Sequence, residues 1–596
     1  MTSLPTDPVD TVSLDRAVAE LATGAVSWSS TPLAERIALL ERMLPRIADG
    51  APAMVADAAH AKGYPADSPW AAEDWAGAPW ALAQTIGAYL HVLRRLAAGE
   101  APVPPAAVHE RDGRTLVDVF PATGWDTLLL NGFTAQVWTL PGTTGQDVLG
   151  RAAGAYRGTP PAPGVALVLG AGNVAAITPL DILHKLYVEG QVVIAKMNPV
   201  NSYLRPHFEA VFTEFVARDW VRFVDGGAAE GGHLAAHEDV DTLHITGSER
   251  THDAIVWGTD ARAAERRRSD TPLVTKPFSS ELGGVSPCIV TPGPWSAADF
   301  RFQAEHIVTS KMNNSGHNCV ASQILVVPRD WDGTERLLAE IRRVLRELPP
   351  RTDYYPGADR RLAAVLAAHP EAEIHGDGTC RLLVPDISDI TDHSDHADHS
   401  DHADHADHAD RSGPADTLLT DEVFGSALGV VRLAGDTPEE FLRNAVDFAN
   451  DRLPGTLGAT LLVHPRTERA HRAAVDTAIA GLRYGTLGVN CWSAIGFLLG
   501  YTPWGAHPGH TRQAIGSGIG FVHNAFMIED VEKTVLRAPF APAPRGLFTG
   551  SPSLSPRPPY FVTHRTGRTT LERLTRFTAK PGFGRLPGVL ASALRG

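Results

Sequence analysis

The chain predicts an α/β protein: a Rossmann-like nucleotide-binding domain over 164–275, joined to a second α/β domain over 276–490. Two observations carry this reading. First, Gly164-Val165-Ala166-Leu167-Val168-Leu169-Gly170 is an apolar strand closed by glycine, followed by a helix expected around 182–188 and a second apolar strand over 191–196. Uniformly apolar strands alternating with helices suit a parallel sheet covered on both faces. Second, the alternation resumes with strands at 286–290 and 323–327, a helix over 334–347 and a last apolar strand at 457–463.

The remaining elements follow the same logic. A helix over 204–217 leads to a strand at 221–224, and the strand 241–246 runs into Gly247-Ser248, a turn at a helix start where backbone N–H groups can meet a pyrophosphate. Residues 10–98 read as helices, with Leu33, Ile37, Leu40, Met43, Leu44 and Ile47 at helical spacing and a stop expected near Gly50. We group 1–114 with the nucleotide-binding domain. In 115–163 the pattern turns strand-like, at 116–120 and 134–140, and such strands can pair within the chain or between subunits. Residues 491–596 are expected to supply C-terminal strands and a Pro-rich arm. From 551 onward that arm holds eight Lys/Arg against one Glu. It is read as packing on its own domain, the alternatives being a crossing to another subunit or docking on anionic lipid through 571–577.

With 596 residues the chain suits two or three domains, and its net charge of -15 argues against a nucleic-acid partner. Four cysteines without a CxxC pair fit a reducing compartment. The N-terminus has neither a basic nor an apolar targeting region, and no apolar run approaches a membrane span, so a cytoplasmic protein with no transmembrane segment is expected. Between 392 and 410, Asp-His-Ser or Asp-His-Ala repeats six times and closes on Asp410. Without a large apolar residue this tract cannot bury a core, and it is read as a disordered surface insertion. Its His393, His396, His399, His402, His405 and His408 are the alternative, a metal-buffering tract.

Chemistry concentrates at Cys319. The preceding Asn313-Asn314-Ser315-Gly316-His317-Asn318 is polar and turn-forming, so it is expected to present the thiol, and a helix start or a nearby cation would raise the thiolate fraction. Cys288, Cys380 and Cys491 are read as structural. Glu281, followed by Leu282-Gly283-Gly284, is a carboxylate beside glycines that permit close approach. A nucleophile and a base of this kind can form and hydrolyse a thioester.

The stretches Glu281-Leu282-Gly283-Gly284-Val285-Ser286-Pro287 and Asn314–Cys319 resemble the two signature motifs of the aldehyde dehydrogenase superfamily, in the right order and 38 residues apart. The resemblance extends over roughly 30–525. It implies that Cys319 is the nucleophile, that Glu281 activates the water that cleaves the thioester, and that Asn173, in Gly172-Asn173-Val174, donates to the oxyanion. Asn173 precedes Lys196 by 23 residues, as the family pattern expects. Lys196 is then a cofactor-ribose contact, Gly247 and Ser248 match the family's turn, and Leu282 joins the cofactor set. Asp421-Glu422-Val423-Phe424-Gly425 resembles the motif whose glutamate binds the nicotinamide ribose and whose phenylalanine packs near the ring. Pro199 stands where NAD-preferring members carry a carboxylate, which leaves NAD or NADP as the cofactor.

The implied architecture adds bridging oligomerisation strands that build homodimers or homotetramers. The implied activity is oxidation of an aldehyde to a carboxylic acid through a thiohemiacetal and a thioester. Two alternatives stand beside it: a CoA-dependent acyl-CoA reductase or acylating dehydrogenase, and an inactive scaffold with a metal-binding loop. Trp125, Trp138, Trp492 and Trp504 are candidates for an apolar funnel or for interface core.

Overall fold

The computed structural model describes residues 10–158, 161–376, 381–387 and 416–596. The Asp/His tract and Cys380 lie outside them. Two large sheets organise the described residues, beside a two-stranded antiparallel ladder of Pro503–Gly505 and Phe521–His523. The smaller has six strands in the order Gly518–Ile519, Phe278–Leu282, Thr242–Gly247, Val165–Leu169, Val192–Lys196, Val221–Val224. All pair in parallel except Gly518–Ile519, which runs antiparallel to Phe278–Leu282. Val165–Leu169 and Val192–Lys196 are buried along their whole length, as apolar strands between helical layers must be. The helix Ile177–Tyr187 lies against them with every residue buried. The helix expected over 204–217 is broken into Arg205–Val211 and Thr213–Ala217.

The larger sheet has eleven strands. Its centre is parallel, in the order Val531–Arg537, Thr486–Val489, Gly458–Leu462, Ser286–Val290, Ser322–Pro328, Ala427–Leu433, Arg381–Val384, and antiparallel strands finish both ends. Thr486–Val489 extends the region past 457–463, expected to be its last strand. At one end Thr134–Thr139 pairs with Arg114–Phe120 on one side and Val531–Arg537 on the other. Of the two pairings open to this segment, the chain uses the internal one, and both hydrogen-bonding edges of Thr134–Thr139 are filled.

The stop expected near Gly50 does not occur. One helix runs Leu33–Ala61, through Pro45 and Pro52. Each proline removes a backbone hydrogen bond, but Ala51, Met54, Val55, Ala58 and Ala59 are all buried, and tertiary packing of that face outweighs local propensity. The arm folds onto its own chain. Leu571, Leu574 and Phe577 of the helix Gly567–Ala579 are buried, and the helix packs on Ala71–Trp75 and Ala81–Ala97. No described helix is long and apolar enough to cross a membrane.

Candidate active site

Cys319 follows the long helix Ala297–Met312 and a tight turn, Asn313–Gly316. Three consecutive residues there are left-handed, Asn314 (φ 54°), Ser315 (φ 56°) and Gly316 (φ 76°). Gly316 admits no side chain: a Cβ would fall 2.3 Å from the Gly425 carbonyl oxygen. Left-handed non-glycine residues cost roughly 1–3 kcal/mol each and persist only when the surroundings over-determine them.

Asn314 supplies that determination. Its main-chain N–H donates to Glu73 Oε2 (3.0 Å), and its Oδ1 accepts from Lys62 Nζ (2.9 Å) and the Tyr354 hydroxyl (3.1 Å). Its Nδ2 donates to the carbonyls of Asn173 and His317, both at 2.9 Å. Glu73 in turn pairs with Arg351, and Asp74 accepts from Lys62 (2.6 Å) and from the Tyr64 hydroxyl. This network was not read from the sequence. Its members come from four distant stretches, and only the Asn-Ser-Gly turn carried a local sign of a left-handed position.

Glu281 sits on Phe278–Leu282, opposite Thr246 on one side and Gly518 on the other. The sheet edge carries it to the thiol. It has no ion-pair partner among the described residues, and its Oε1 accepts no hydrogen bond. Burial pushes its carboxyl up to about 7, while the neighbouring Cys319 thiol pulls the other way. The thiol itself, half-buried at the residue level, is pushed well above its ordinary value by burial and then by the adjacent Glu281 carboxylate, with Glu422 adding to the effect. Only its own main-chain N–H favours the thiolate. Neither a helix start nor a cation is among the groups that act on the thiol. Cys319 rests as a protonated thiol against a carboxylate whose pKa suits a general base near neutral pH.

Asn173, at the carboxyl end of Val165–Leu169, faces the same cleft and is buried. One N–H of its amide donates to the His317 carbonyl (3.2 Å), leaving the other for an oxyanion. The cleft holding Cys319, Glu281 and Asn173 has about 60 Å³ of free space, walled on one side by Ile177, Trp492 and Trp504 and on another by Lys62, Glu73, Asp74 and Asn314. That is room for a few waters, given the ~10–15 Å³ that one requires. Trp492 is fixed by donating to the Val320 carbonyl (2.8 Å). Trp125 instead packs on Phe577 and Phe583, and Trp138 lies in the large sheet between Arg111, Arg114 and Lys533.

The cofactor candidates gather at the carboxyl ends of the six-stranded sheet, where a dinucleotide binds in folds of this kind. Lys196 ends its strand, with Nζ donating to the carbonyls of Met197 and Gly226. Gly247 ends the strand on the far side of Val165–Leu169, and Ser248 caps the helix Glu249–Val256, its Oγ accepting from the Thr251 N–H (3.3 Å). Leu282 is buried in register with Gly247. Glu422 lies so close to Gly283 that a Cβ there would come within 2.4 Å of its carboxylate. Burial pushes the Glu422 carboxyl up to about 8, its Oε1 is buried without a partner, and Lys311, fully buried with Nζ unpartnered, is the cation that most opposes the rise. An orphaned carboxylate oxygen beside a glycine, at the edge of this crevice, fits a ribose hydroxyl donor. Phe424 (φ 45°) packs on Tyr355 and His317, and its carbonyl accepts from His317 Nδ1 (2.8 Å). His252 occupies a buried place against the Phe278 ring. Lys311 was missed in the sequence: a lysine among the apolar residues of a helix signals burial only once the helix is placed.

Cys288 and Cys491 are buried, free and pushed up by burial, which suits structural residues. No group of three or more His, Cys, Asp or Glu among the described residues is arranged to hold a metal.

The arrangement defines a class first: a two-sheet α/β protein with a thiol and an elevated carboxyl facing each other at the edge of a dinucleotide-type sheet. Residues 144–359 match the aldehyde dehydrogenase family, and the chain is a divergent protein resembling that superfamily. N-succinylglutamate 5-semialdehyde dehydrogenase of Sphingopyxis alaskensis is 28% identical over 186 residues, 31% of this chain and 35% of that protein. Coniferyl aldehyde dehydrogenase of a Pseudomonas species is 25% identical over 246 residues, 38% of this chain and 47% of that protein. The matches thus span between a third and half of these relatives' lengths. In fold, the NADP-dependent glyceraldehyde-3-phosphate dehydrogenase of Bacillus halodurans, solved with NADP, superposes over 88% of this chain and 91% of its own with a TM-score of 0.56 at 17% identity.

Proposed function

We propose that the protein oxidises an aldehyde to a carboxylic acid with NAD or NADP, through a covalent cysteine intermediate. The observation that carries this reading is the single cleft that the Cys319 thiol, the Glu281 carboxyl and the Asn173 amide line together. Glu281 takes the thiol proton as sulfur adds to the aldehyde carbon. The free N–H of Asn173, with the main-chain N–H of Cys319, stabilises the resulting oxyanion; one such donor contributes about 3–4 kcal/mol. The nicotinamide, when bound, supplies the hydride acceptor, held through Lys196, Gly247, Ser248, Leu282, Glu422 and Phe424. Once Glu281 has released the thiol's proton to solvent, its carboxylate deprotonates a water in the cleft; that water attacks the Cys319 thioester, the acid is released, and the departing thiolate takes the proton back from Glu281. Retention of this base favours water over CoA as the acceptor. A homodimer or homotetramer remains part of the reading, and it would use faces other than the filled edges of Thr134–Thr139.

The test is NADH or NADPH formation from a panel of aldehydes, with and without CoA, beside Cys319→Ala. Cysteine-dependent turnover without CoA is expected, and Cys319→Ala should lose at least about 10⁴-fold in kcat. Turnover only with CoA would move the assignment to the acylating class. Stoichiometric zinc or nickel binding without turnover would move it to the scaffold.

A further inference from the structure

Beside the catalytic cleft lies a second cavity of about 490 Å³, and the two share Ala76, Ile495, Leu498 and Tyr560 as common wall. The second cavity is built largely by the C-terminal arm. Leu571 and Leu574 of Gly567–Ala579, with Leu590 of Leu586–Ala593, form one side of it. Leu128, Leu554 and Leu594 mark its outer mouth, at 46%, 70% and 70% exposure. Its only charged lining residue is Arg557, whose guanidinium is engaged by Glu305 (3.4 Å). An apolar cavity that abuts the cleft of the Cys319 thiol and opens to the surface, with its charged lining residue already paired, suits an uncharged chain attached to the reacting carbonyl. The volume falls within the ~300–1,000 Å³ typical of ligand sites.

We propose that this passage binds the hydrocarbon tail of a long-chain aliphatic aldehyde, with the C-terminal arm as its wall. The inference rests on the oxidation of an aldehyde at Cys319 and names its substrate class. The carbonyl sits at Cys319, the first carbons pass Ile495 and Leu498, and the tail runs between the arm helices toward Leu594. Short, charged or branched polar aldehydes leave the passage unfilled or place charge where no counter-ion waits.

The experiment uses the full chain and linear aldehydes from butanal to dodecanal. Because a buried methylene transfers favourably from water, kcat/KM is expected to rise about fourfold per added methylene until the passage is full. Leu590→Trp, a half-buried position within the passage, should flatten that slope and lower the dodecanal-to-butanal ratio at least about tenfold. A second readout needs no turnover: dodecanoate binding to Cys319→Ala by calorimetry, expected to weaken at least about tenfold when Leu590→Trp is added. Turnover with no dependence on chain length, or a slope unchanged in Leu590→Trp, overturns the passage while leaving the cysteine dehydrogenase standing. No turnover with any aldehyde, but dodecanoate binding that Leu590→Trp weakens, keeps the passage and overturns the dehydrogenase. Absence of both overturns both.

Discussion

Two groups of buried carboxylates flank the Cys319 turn, and the protein treats them in opposite ways. Glu73 and Asp74 are paired, Glu73 with Arg351 and the Asn314 N–H, Asp74 with Lys62 and Tyr64. Glu281 and Glu422 lie across the cleft with no ion pair among the described residues and one orphaned oxygen each. Burial pushes Glu73 upward as well, but Arg351 and Lys62 counter it. Around Glu281 no cation does so, and its carboxyl rises to about 7. A carboxylate with its counter-ion is a fastening for a loop; one without, as at Glu281, has the raised carboxyl that we propose serves as the base. The first group holds three left-handed residues in place so that the second can meet the thiol.

That contrast breaks most sharply at Arg351. Arg351→Met strands the Glu73 charge in the interior and should destabilise the fold by about 3–5 kcal/mol, read as a lower midpoint in urea. Glu281→Gln should do the reverse. It removes the base, lowering kcat by about 10²–10⁴, yet spares the fold a buried charge. The sign follows from the raised carboxyl: as pH climbs from 4.5 to about 7, the unfolded chain ionises first, so native stability falls over that window and stays low above it. The glutamine variant lacks this fall and should be more stable than the parent above pH 7, by up to about 3 kcal/mol, and equal to it below 4.5, as thermal melts across pH would show. Asn173→Ala keeps both groups and removes an oxyanion donor, with an expected loss of about 10²–10³ in kcat and little change in KM. The smallest effect is the pH profile of the parent: kcat should rise through an apparent pKa of about 7, and the pre-steady-state step that still occurs in Glu281→Gln should lack that limb. A profile unchanged by the substitution would remove Glu281 from the base role.

The local chemistry was legible in the chain. Apolar strands closed by glycine marked the nucleotide-type sheet, and the Glu-Leu-Gly-Gly and Asn-Ser-Gly-His-Asn-Cys stretches marked the carboxyl and the thiol that line one cleft, because strand period, turn residues and side-chain type are written in consecutive positions. Gly50 misled as a helix stop, because a buried face carried the helix through it.

What only the tertiary structure decided depends on neighbours far apart in sequence. The thiol's protonation is set by Glu281, 38 residues away, and by the apolar walls around both. The Cys319 turn is held by Lys62 and Glu73, more than 240 residues upstream. The strand 134–139 closes onto its own chain at 531–537, and the arm beyond 545 becomes a wall beside the site. Desolvation and charge pairing are sums over everything packed around a group, so a pKa, a fastened loop or an apolar passage belongs to the packed assembly of segments, whereas a strand, a turn and a nucleophile belong to the local sequence.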